Sequence, residues 1–378
     1  MKIFYAANLR LPTDKAHGLQ IMKMCEAMAE NGAEVELVIP ERFNENKENP
    51  FDHYGIKKIF SIKKIGKTDF INYRFLPRIL AFLLETIYFS AKSFSYLKSI
   101  KENYLVYARD REIAWLCLFL KKPFIWEIHF LPKMLFIYKP VLKRLFKIAT
   151  ITGYMKNKLA EAGIRPEKIV FLPDAVDLEK FTVKESKQAI RKKLNLPADK
   201  KIIMYSGQLY GWKGVDTLVK ASNFLSNNFN VVIVGGHDNE IEELRKIPHK
   251  NILFAGQKNN KEVPFWLKAA DILVLPNSGK YEISRHFTSP MKLFEYMASG
   301  VPIVSSDLPS LREILTEDEA IFFRPDSAGD LGAVLLGNAG KEEFLKKISG
   351  NALKKVQKYT WKNRTKEVIG GLESVLVK

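Results

Sequence analysis

Residues 288–306, TSPMKLFEYMASGVPIVSS, constrain what this chain can fold into more than any other stretch. Ser289 suits a helix N-cap and Pro290 a first helical position, so a helix is expected to start there. Gly300 fits the left-handed residue just past its end, and Pro302 prevents continuation. On a period of 3.6, Met291, Leu293, Phe294, Met297 and Ala298 form a broad apolar side, while Lys292, Glu295, Tyr296 and Ser299 share a narrow polar one. The run at 301–306 is short, β-branched and barely alternating, the pattern of a strand covered on both faces of a parallel sheet. A helix start at the carboxyl end of such a strand favours an anion, because free backbone N–H groups and the helix dipole converge there. Thr288, Ser289, Pro290 and Met291 form that start, and Lys292 adds a positive charge. The plainer reading of Lys292 and Glu295 is a solvated ion pair, worth about 0.2–0.5 kcal/mol.

A parallel sheet needs crossover helices, and the chain supplies them twice. Strand-like runs at 3–7 and 35–39 flank a helical run at 19–30 with Ile21, Met24, Cys25 and Met28 on one face. The loop between them, residues 8–18, lacks G-x-G-x-x-G, so a dinucleotide-dependent dehydrogenase loses its main support. His17 and Gly18 close that loop, where a glycine lets backbone approach a ligand; the plainer reading of His17 is a surface cap. Residues 40–69 read as a polar excursion enclosing a strand or hairpin, and strands resume at 105–108, 124–128, 149–152 and 169–172. Residues 174–201 turn charged and polar and read as a linker. Alternation then restarts, with strands at 202–205, 231–234, 252–255 and 272–275 and helices at 215–225 and 264–270. The tail, 361–378, reads as a last helix with no strand of its own.

A chain of 378 residues, 47% hydrophobic, can bury two ordinary cores. Its two cysteines, Cys25 and Cys117, lie far apart, so no disulfide framework or zinc spacing is present, which suits a reducing compartment. The net charge of +18 points to anionic partners: polyanions, anionic lipid or phosphorylated ligands. No apolar run approaches the roughly 20 residues of a membrane span, and no signal-like segment follows Met1, so a cytoplasmic chain is expected. Two stretches, 70–101 and 130–147, interleave aromatic with basic residues, as in Phe70, Ile71, Arg74, Phe75, Phe82 and Lys92, or Phe136, Lys143 and Arg144. Such helices can lie on an anionic membrane surface, and core packing is the plainer alternative.

After the strand at 202–205 comes Gly207-Gln208-Leu209-Tyr210-Gly211-Trp212-Lys213-Gly214, a glycine-rich turn with one lysine that could cradle a diphosphate. Further on stand Ala270-Asp271-Ile272 and the 288–306 stretch with Glu295; earlier come Ala16-His17-Gly18-Leu19-Gln20, Trp126-Glu127-Ile128-His129 and Leu172-Pro173-Asp174-Ala175-Val176-Asp177 with Phe181. In this order the motifs resemble the retaining glycosyltransferases of family 4, over nearly the whole chain. The resemblance implies an α/β GT-B fold: two Rossmann-like, doubly wound parallel-sheet domains facing across a cleft. The expected division is 1–177 (acceptor side), 178–358 (nucleotide-sugar side) and a helix at 359–378 crossing back to the first domain.

The resemblance also implies roles. Lys213 matches the lysine that neutralises the donor diphosphate, and Glu295 the glutamate that holds the nucleotide ribose. Gly207, Gln208, Thr288, Ser289, Pro290, Met291 and Lys292 fall along the donor. His129 matches a histidine that reaches the donor sugar and joins Lys213 and Glu295 as a catalytic candidate, while His17, Gly18 and Glu127 fall on the acceptor side. The family needs no metal, no metal-binding Asp-x-Asp is present, and Glu317-Asp318-Glu319 reads as solvated. Three positions depart from the family pattern: Phe287 replaces a sugar-contacting glutamate, Gln208 replaces a diphosphate arginine, and Asp174-Ala175 stands where Asn-Gly is usual. Arg285, His286 and Lys292 are the candidates to replace the lost contacts.

The expected function is therefore hexosyl transfer from a nucleotide-sugar to a glycan or lipid-linked saccharide in cell-surface polysaccharide or glycolipid synthesis, by a protein that can sit peripherally on the inner membrane face. Alternatives are a catalytically weakened GT-B-like binding subunit, and a GT-B-type epimerase or sugar-phosphate synthase. Nucleic acid is not an expected partner, since no recognised module accompanies the charge.

Overall fold

In the computed structural model the described residues are 1–67, 69–70 and 76–370, so Ile71, Arg74 and Phe75 of the first aromatic-basic stretch and 371–378 of the tail lie outside them. The chain forms two compact units, Met1–Leu172 with Trp361–Lys378, and Pro173–Thr360. The division after Leu172, rather than after 177, leaves the whole Pro173–Asp177 motif in the second unit.

The first unit holds β1 (Lys2–Ala6), β2 (Glu34–Glu41), β3 (Ser61–Lys67), β4 (Tyr104–Ala108), β5 (Phe124–Ile128), β6 (Lys147–Thr150) and β7 (Ile169–Phe171), in the order β3-β2-β1-β4-β5-β6-β7. Every pairing is parallel. β4 and β5 are buried at every position, because helices cover both faces of a doubly wound sheet. The 40–69 excursion holds the strand rather than the hairpin of the two expected: among its described residues a one-turn helix, Pro50–Tyr54, leads into β3, which joins the sheet edge in parallel.

The helix Arg78–Ser99 reverses the usual polarity. It buries Glu85, Thr86 and Ser93 with Phe89 and Leu97, and exposes Ile79, Leu80, Phe82, Leu83 and Ile87. Glu85 goes inward because Arg42 meets it at 3.3 Å, and Thr86 because Asn8 donates to its hydroxyl. The helix Trp361–Ile369 packs in this unit beside the helix Ala16–Glu30, where the Asn31 side-chain amide donates to Lys362 O at 2.9 Å and to Thr365 Oγ at 2.7 Å.

The second unit holds β8 (Lys201–Ser206), β9 (Phe229–Val234), β10 (Ile252–Gly256), β11 (Ile272–Leu275), β12 (Ile303–Ser306) and β13 (Ala320–Phe323), all parallel, in the order β10-β9-β8-β11-β12-β13. The expected linker at 174–201 is built into this unit instead. Its helix Lys187–Lys193 carries Arg191, which is buried and donates to Asp271 at 2.5 Å and to Ala269 O at 2.9 Å. Glu319, expected to be solvated, is also buried, between the Thr316 hydroxyl at 2.8 Å and Lys355 at 3.0 Å.

Candidate active site

In each sheet the strand order reverses once, between β1 and β4 and between β8 and β11. The carboxyl ends of strands at such a reversal are where open α/β sheets hold ligands, because the flanking loops part there.

In the second unit, β8 ends at Ser206 and the chain turns at Gly207, whose φ of 138° belongs to glycine. A Cβ at Gly207 would also lie 3.4 Å from Lys292 Nζ, so backbone and ammonium share this corner. Two tyrosines fix the turn. The Tyr205 hydroxyl donates to Gln208 O at 2.6 Å, and the Tyr296 hydroxyl accepts from Ser206 N–H at 2.7 Å. Gly214, with φ 64°, lets the loop close onto β11: a Cβ there would stand 2.1 Å from Pro276 O. Beyond Pro276, Asn277 is fully buried and neither polar atom of its side chain has a partner among the described residues. Asn277 opens the polar loop 277–286, long enough in the sequence to reshape the donor pocket, and its place just after a buried strand at the reversal is the signal that marks it.

The helix expected at 290–299 forms as Met291–Ser299, ending at Gly300 with φ 67°. Pro290, not Ser289, is its N-cap, and no side chain caps it, because the Ser289 hydroxyl instead accepts from Asp174 N–H at 2.8 Å. Its expected polar face is not solvated: Lys292, Tyr296 and Ser299 are buried with the apolar residues, Thr288, Ser289 and Pro290 are buried too, and Met291, Glu295, Gly207 and Gln208 are partly exposed. Lys292 lies 3.8 Å from the Tyr205 ring centroid and donates to its hydroxyl at 2.5 Å. Lys213, 8% exposed, lies 3.7 Å from the Trp212 ring centroid.

Neither lysine is ion-paired to a carboxylate among the described residues, and neither is Glu295 to a cation. Burial therefore decides their pKa values. It pulls Lys213 down to about 7 against the weak help of Asp174. Burial, and then the nearby charge of Lys213, holds Lys292 well below the ordinary lysine range. Burial pushes Glu295 up to about 7 against Lys292 and Lys180. Two buried lysines beside a glycine turn, with no carboxylate ion-paired to either among the described residues, make a site whose electrostatics an anion completes. Of the other proposed replacements, Arg285 donates to Gly279 O at 2.6 Å and His286 is partly exposed, while Phe287, at the position of the lost glutamate, is buried.

In the first unit, His129 follows β5 and its Nε2 lies 2.6 Å from Glu127 Oε1. Glu127 is fully buried and presents no surface to an acceptor; it holds protein groups instead. Packing alone requires a glycine at Gly18, since a Cβ there would stand 2.3 Å from the Tyr54 hydroxyl and 2.6 Å from Thr13 Cγ2. His17, partly buried in the first turn of Ala16–Glu30, is held to a pKa of about 4 by burial and then by Arg109 and Lys15. The described residues contain no cluster of metal-ligating side chains.

Residues 186–355 match the family described as glycosyl transferases group 1. That match lies within the second unit, 173–360. Among curated relatives, the D-inositol 3-phosphate glycosyltransferase of Xylanimonas cellulosilytica is 26% identical over 169 residues, 41% of this chain and 39% of that protein. A Bacillus subtilis glycosyltransferase named for teichuronic acid biosynthesis is 28% identical over 165 residues, 43% of this chain and 40% of its own. The chain thus spans about two fifths of the length of these relatives. Among solved structures, Anabaena HepE, crystallised with UDP and glucose, matches with a TM-score of 0.75 at 14% identity, covering 99% of this chain and 100% of that one. That likeness is one of fold, and the fold is GT-B. The glycosyl transferases group 1 match contains Gly207, Gln208, Lys213, residues 288–292 and Glu295, every donor-side candidate.

Proposed function

We propose that this protein is a retaining, metal-independent glycosyltransferase that moves a hexose from a nucleotide-sugar to a glycan or lipid-linked saccharide in cell-surface polysaccharide or glycolipid synthesis. The observation that carries this reading is the pair of buried lysines, Lys213 and Lys292, at the Gly207 turn with no carboxylate ion-paired to either among the described residues. A donor diphosphate supplies two negative charges there, and Lys292 restores the cation that Gln208 does not provide. The free N–H groups at the start of Met291–Ser299 face the same chemistry, and Glu295 takes the ribose hydroxyls. In the reaction, the bond from the anomeric carbon to the diphosphate oxygen breaks and a bond to the acceptor oxygen forms on the same face. The acceptor's proton passes to the departing phosphate, and the two lysines stabilise the charge that develops there. His129 meets a substrate hydroxyl. The names of relatives in teichuronic acid and D-inositol 3-phosphate chemistry support a polyol or glycan acceptor.

A membrane-borne acceptor is favoured by the exposed apolar side of Arg78–Ser99, with Ile79 86% exposed, and by exposed Phe130, Met134 and Phe136 beside exposed Lys133, Lys143 and Arg144. Apolar insertion plus about 1 kcal/mol per basic residue near an anionic surface suffices for reversible docking. No helix among the described residues is long and apolar enough to cross a membrane.

A thermal-shift screen across nucleotide-sugars tests the donor half, since a bound donor raises the melting temperature by linkage. A shift that disappears in Lys213→Ala and Glu295→Ala is the expected result; no shift with any nucleotide-sugar overturns the reading. Flotation with anionic vesicles tests the membrane half, with binding expected to weaken with salt and in Lys143→Glu/Arg144→Glu.

A further inference from the structure

The carboxylate of Glu127 is saturated with donors. Its Oε1 accepts from Gln20 Nε2 at 2.6 Å, His129 Nε2 at 2.6 Å and Arg364 Nη2 at 3.0 Å; its Oε2 accepts from Arg364 Nη1 at 3.1 Å and from the Tyr107 hydroxyl. Both partners of the Arg364–Glu127 pair are buried. Arg364 sits on Trp361–Ile369, which the chain reaches only after completing the second unit, and its Nη2 also donates to Leu172 O at 3.2 Å. Burial favours a neutral Glu127, but Arg364 and His129 outweigh it and hold the carboxyl well below the usual range.

An ionised carboxylate can only accept, so the proton in the His129 contact belongs to Nε2. The ring takes no second proton near neutrality: burial, then Arg109 and Arg364, hold its pKa to about 4 against the pull of Glu127. Arg109 is itself fixed, donating to Gln20 Oε1 at 2.6 Å. Tyr5 and Tyr107, also close to the carboxylate, have hydroxyls that burial keeps protonated. A neutral imidazole with its proton on Nε2 keeps a lone pair on Nδ1.

We infer that Arg364, carried by the C-terminal helix, is a positioning residue for His129: by clamping Glu127 it fixes the imidazole as the Nε2–H tautomer, whose Nδ1 accepts a hydrogen bond from a substrate hydroxyl. The substrate half of this inference rests on the proposed function; the tautomer and its dependence on Arg364 do not. Removing Arg364 leaves the buried Glu127 carboxylate without the guanidinium that neutralises it, so the neutral His129 hydrogen-bonded to it takes up a proton more readily and then loses the acceptor.

Long-range 1H–15N spectra of 15N-histidine-labelled full-length protein decide the tautomer, with the His129 signals assigned by His129→Gln. At pH 7 the wild type is expected to show protonated Nε2 and bare Nδ1, unchanged down to about pH 5. An Nδ1–H or doubly protonated ring at pH 7 overturns the inference. In Arg364→Met the His129 titration is expected to move up by one pH unit or more, and in Arg364→Lys, which keeps the charge and loses the fork, by less. Should Arg364→Met not fold, Arg364→Lys and the wild-type spectrum still decide. A folded variant that titrates His129 as the wild type does overturns the role of Arg364. With a donor that turns over, kcat of Arg364→Met should fall about twofold or more relative to the wild type at pH 5 and recover as the pH is raised, with little change in KM for the donor. An absence of turnover alongside the expected tautomer counts against the proposed function and leaves the positioning role intact.

Discussion

The two units bury charge in opposite ways. In the first, buried ions come matched: Glu127 with Arg364, and Glu85 with Arg42 at 3.3 Å. In the second, beside the Gly207 turn, Lys213 and Lys292 are buried with no carboxylate paired to them, and Glu295 lies in the same desolvated region without a paired cation. A matched buried pair meets its desolvation cost within the protein and fixes geometry; an unmatched one leaves that cost to be offset by something that binds. The first unit's cluster is therefore architecture around His129, and the second unit's is, in the function proposed above, a receptor for an anion.

The largest effect that separates them is on stability. Glu127→Ala leaves Arg364 buried without its carboxylate, and breaking such a pair costs about 3–5 kcal/mol. Calorimetry should show the first unit melting much earlier. A loss below about 1 kcal/mol would mean that the cluster does not hold the unit together.

Lys213→Met should invert that pattern. It removes a buried, unpaired ammonium, so the ligand-free protein should melt no earlier than the wild type, while nucleotide-sugar affinity falls by about 2 kcal/mol or more, roughly 30-fold. A variant that melts earlier and binds normally would make Lys213 architectural and erase the contrast between the units.

Protons sharpen the contrast further. Glu295 is raised from 4.5 to about 7, so the folded state binds more protons than the unfolded between those values, and stability falls as pH rises through that window. Lys213 is lowered from 10.5 to about 7, so above 7 the unfolded state binds more protons and stability climbs again with pH. Each group changes stability by at most about 1.4 kcal/mol per pH unit, and the two act with opposite sign on either side of neutrality in the ligand-free protein, Lys292 adding to the Lys213 side. A bound diphosphate favours the charged lysine, so binding at pH 8 should take up protons. Calorimetric titration in two buffers of different ionisation enthalpy measures this, and buffer-independent heats would show that Lys213 is already charged.

The sequence carried the alternation of strands and helices because both faces of each sheet are covered, which leaves near-continuous apolar runs at β4, β5 and β11. It carried the edges poorly. β3 has no apolar run, since an edge strand with Lys63 and Lys64 exposed needs none, and β13 is four residues long directly after an acidic cluster. The Gly207 turn and the start of Met291–Ser299 were legible because their glycines and prolines act locally. The burial of Lys292 was not, because the ring that covers it belongs to Tyr205, 87 residues away. Nor was the Arg364 clamp on Glu127, whose partners are 237 residues apart: helix 361–369 shows its period in the sequence but not which carboxylate it meets.

The smallest expected effect concerns Ser289, the residue whose local signal misled. As an N-cap its removal would fray the helix; as the acceptor for Asp174 N–H it ties the Pro173–Asp177 segment to the site, both residues being nearly buried. Ser289→Ala leaves one buried N–H without its partner and should cost about 1 kcal/mol, or roughly 2–4 °C in a unit of this size. Because the backbone N–H groups of Met291–Ser299 remain, nucleotide-sugar affinity should fall by less than tenfold, well short of the loss in Lys213→Met. A loss in Ser289→Ala as large as that in Lys213→Met would show that the hydroxyl leaves Asp174 to meet the ligand. The receptor would then depend on a rearrangement of Pro173–Asp177 as well as on its unpaired lysines.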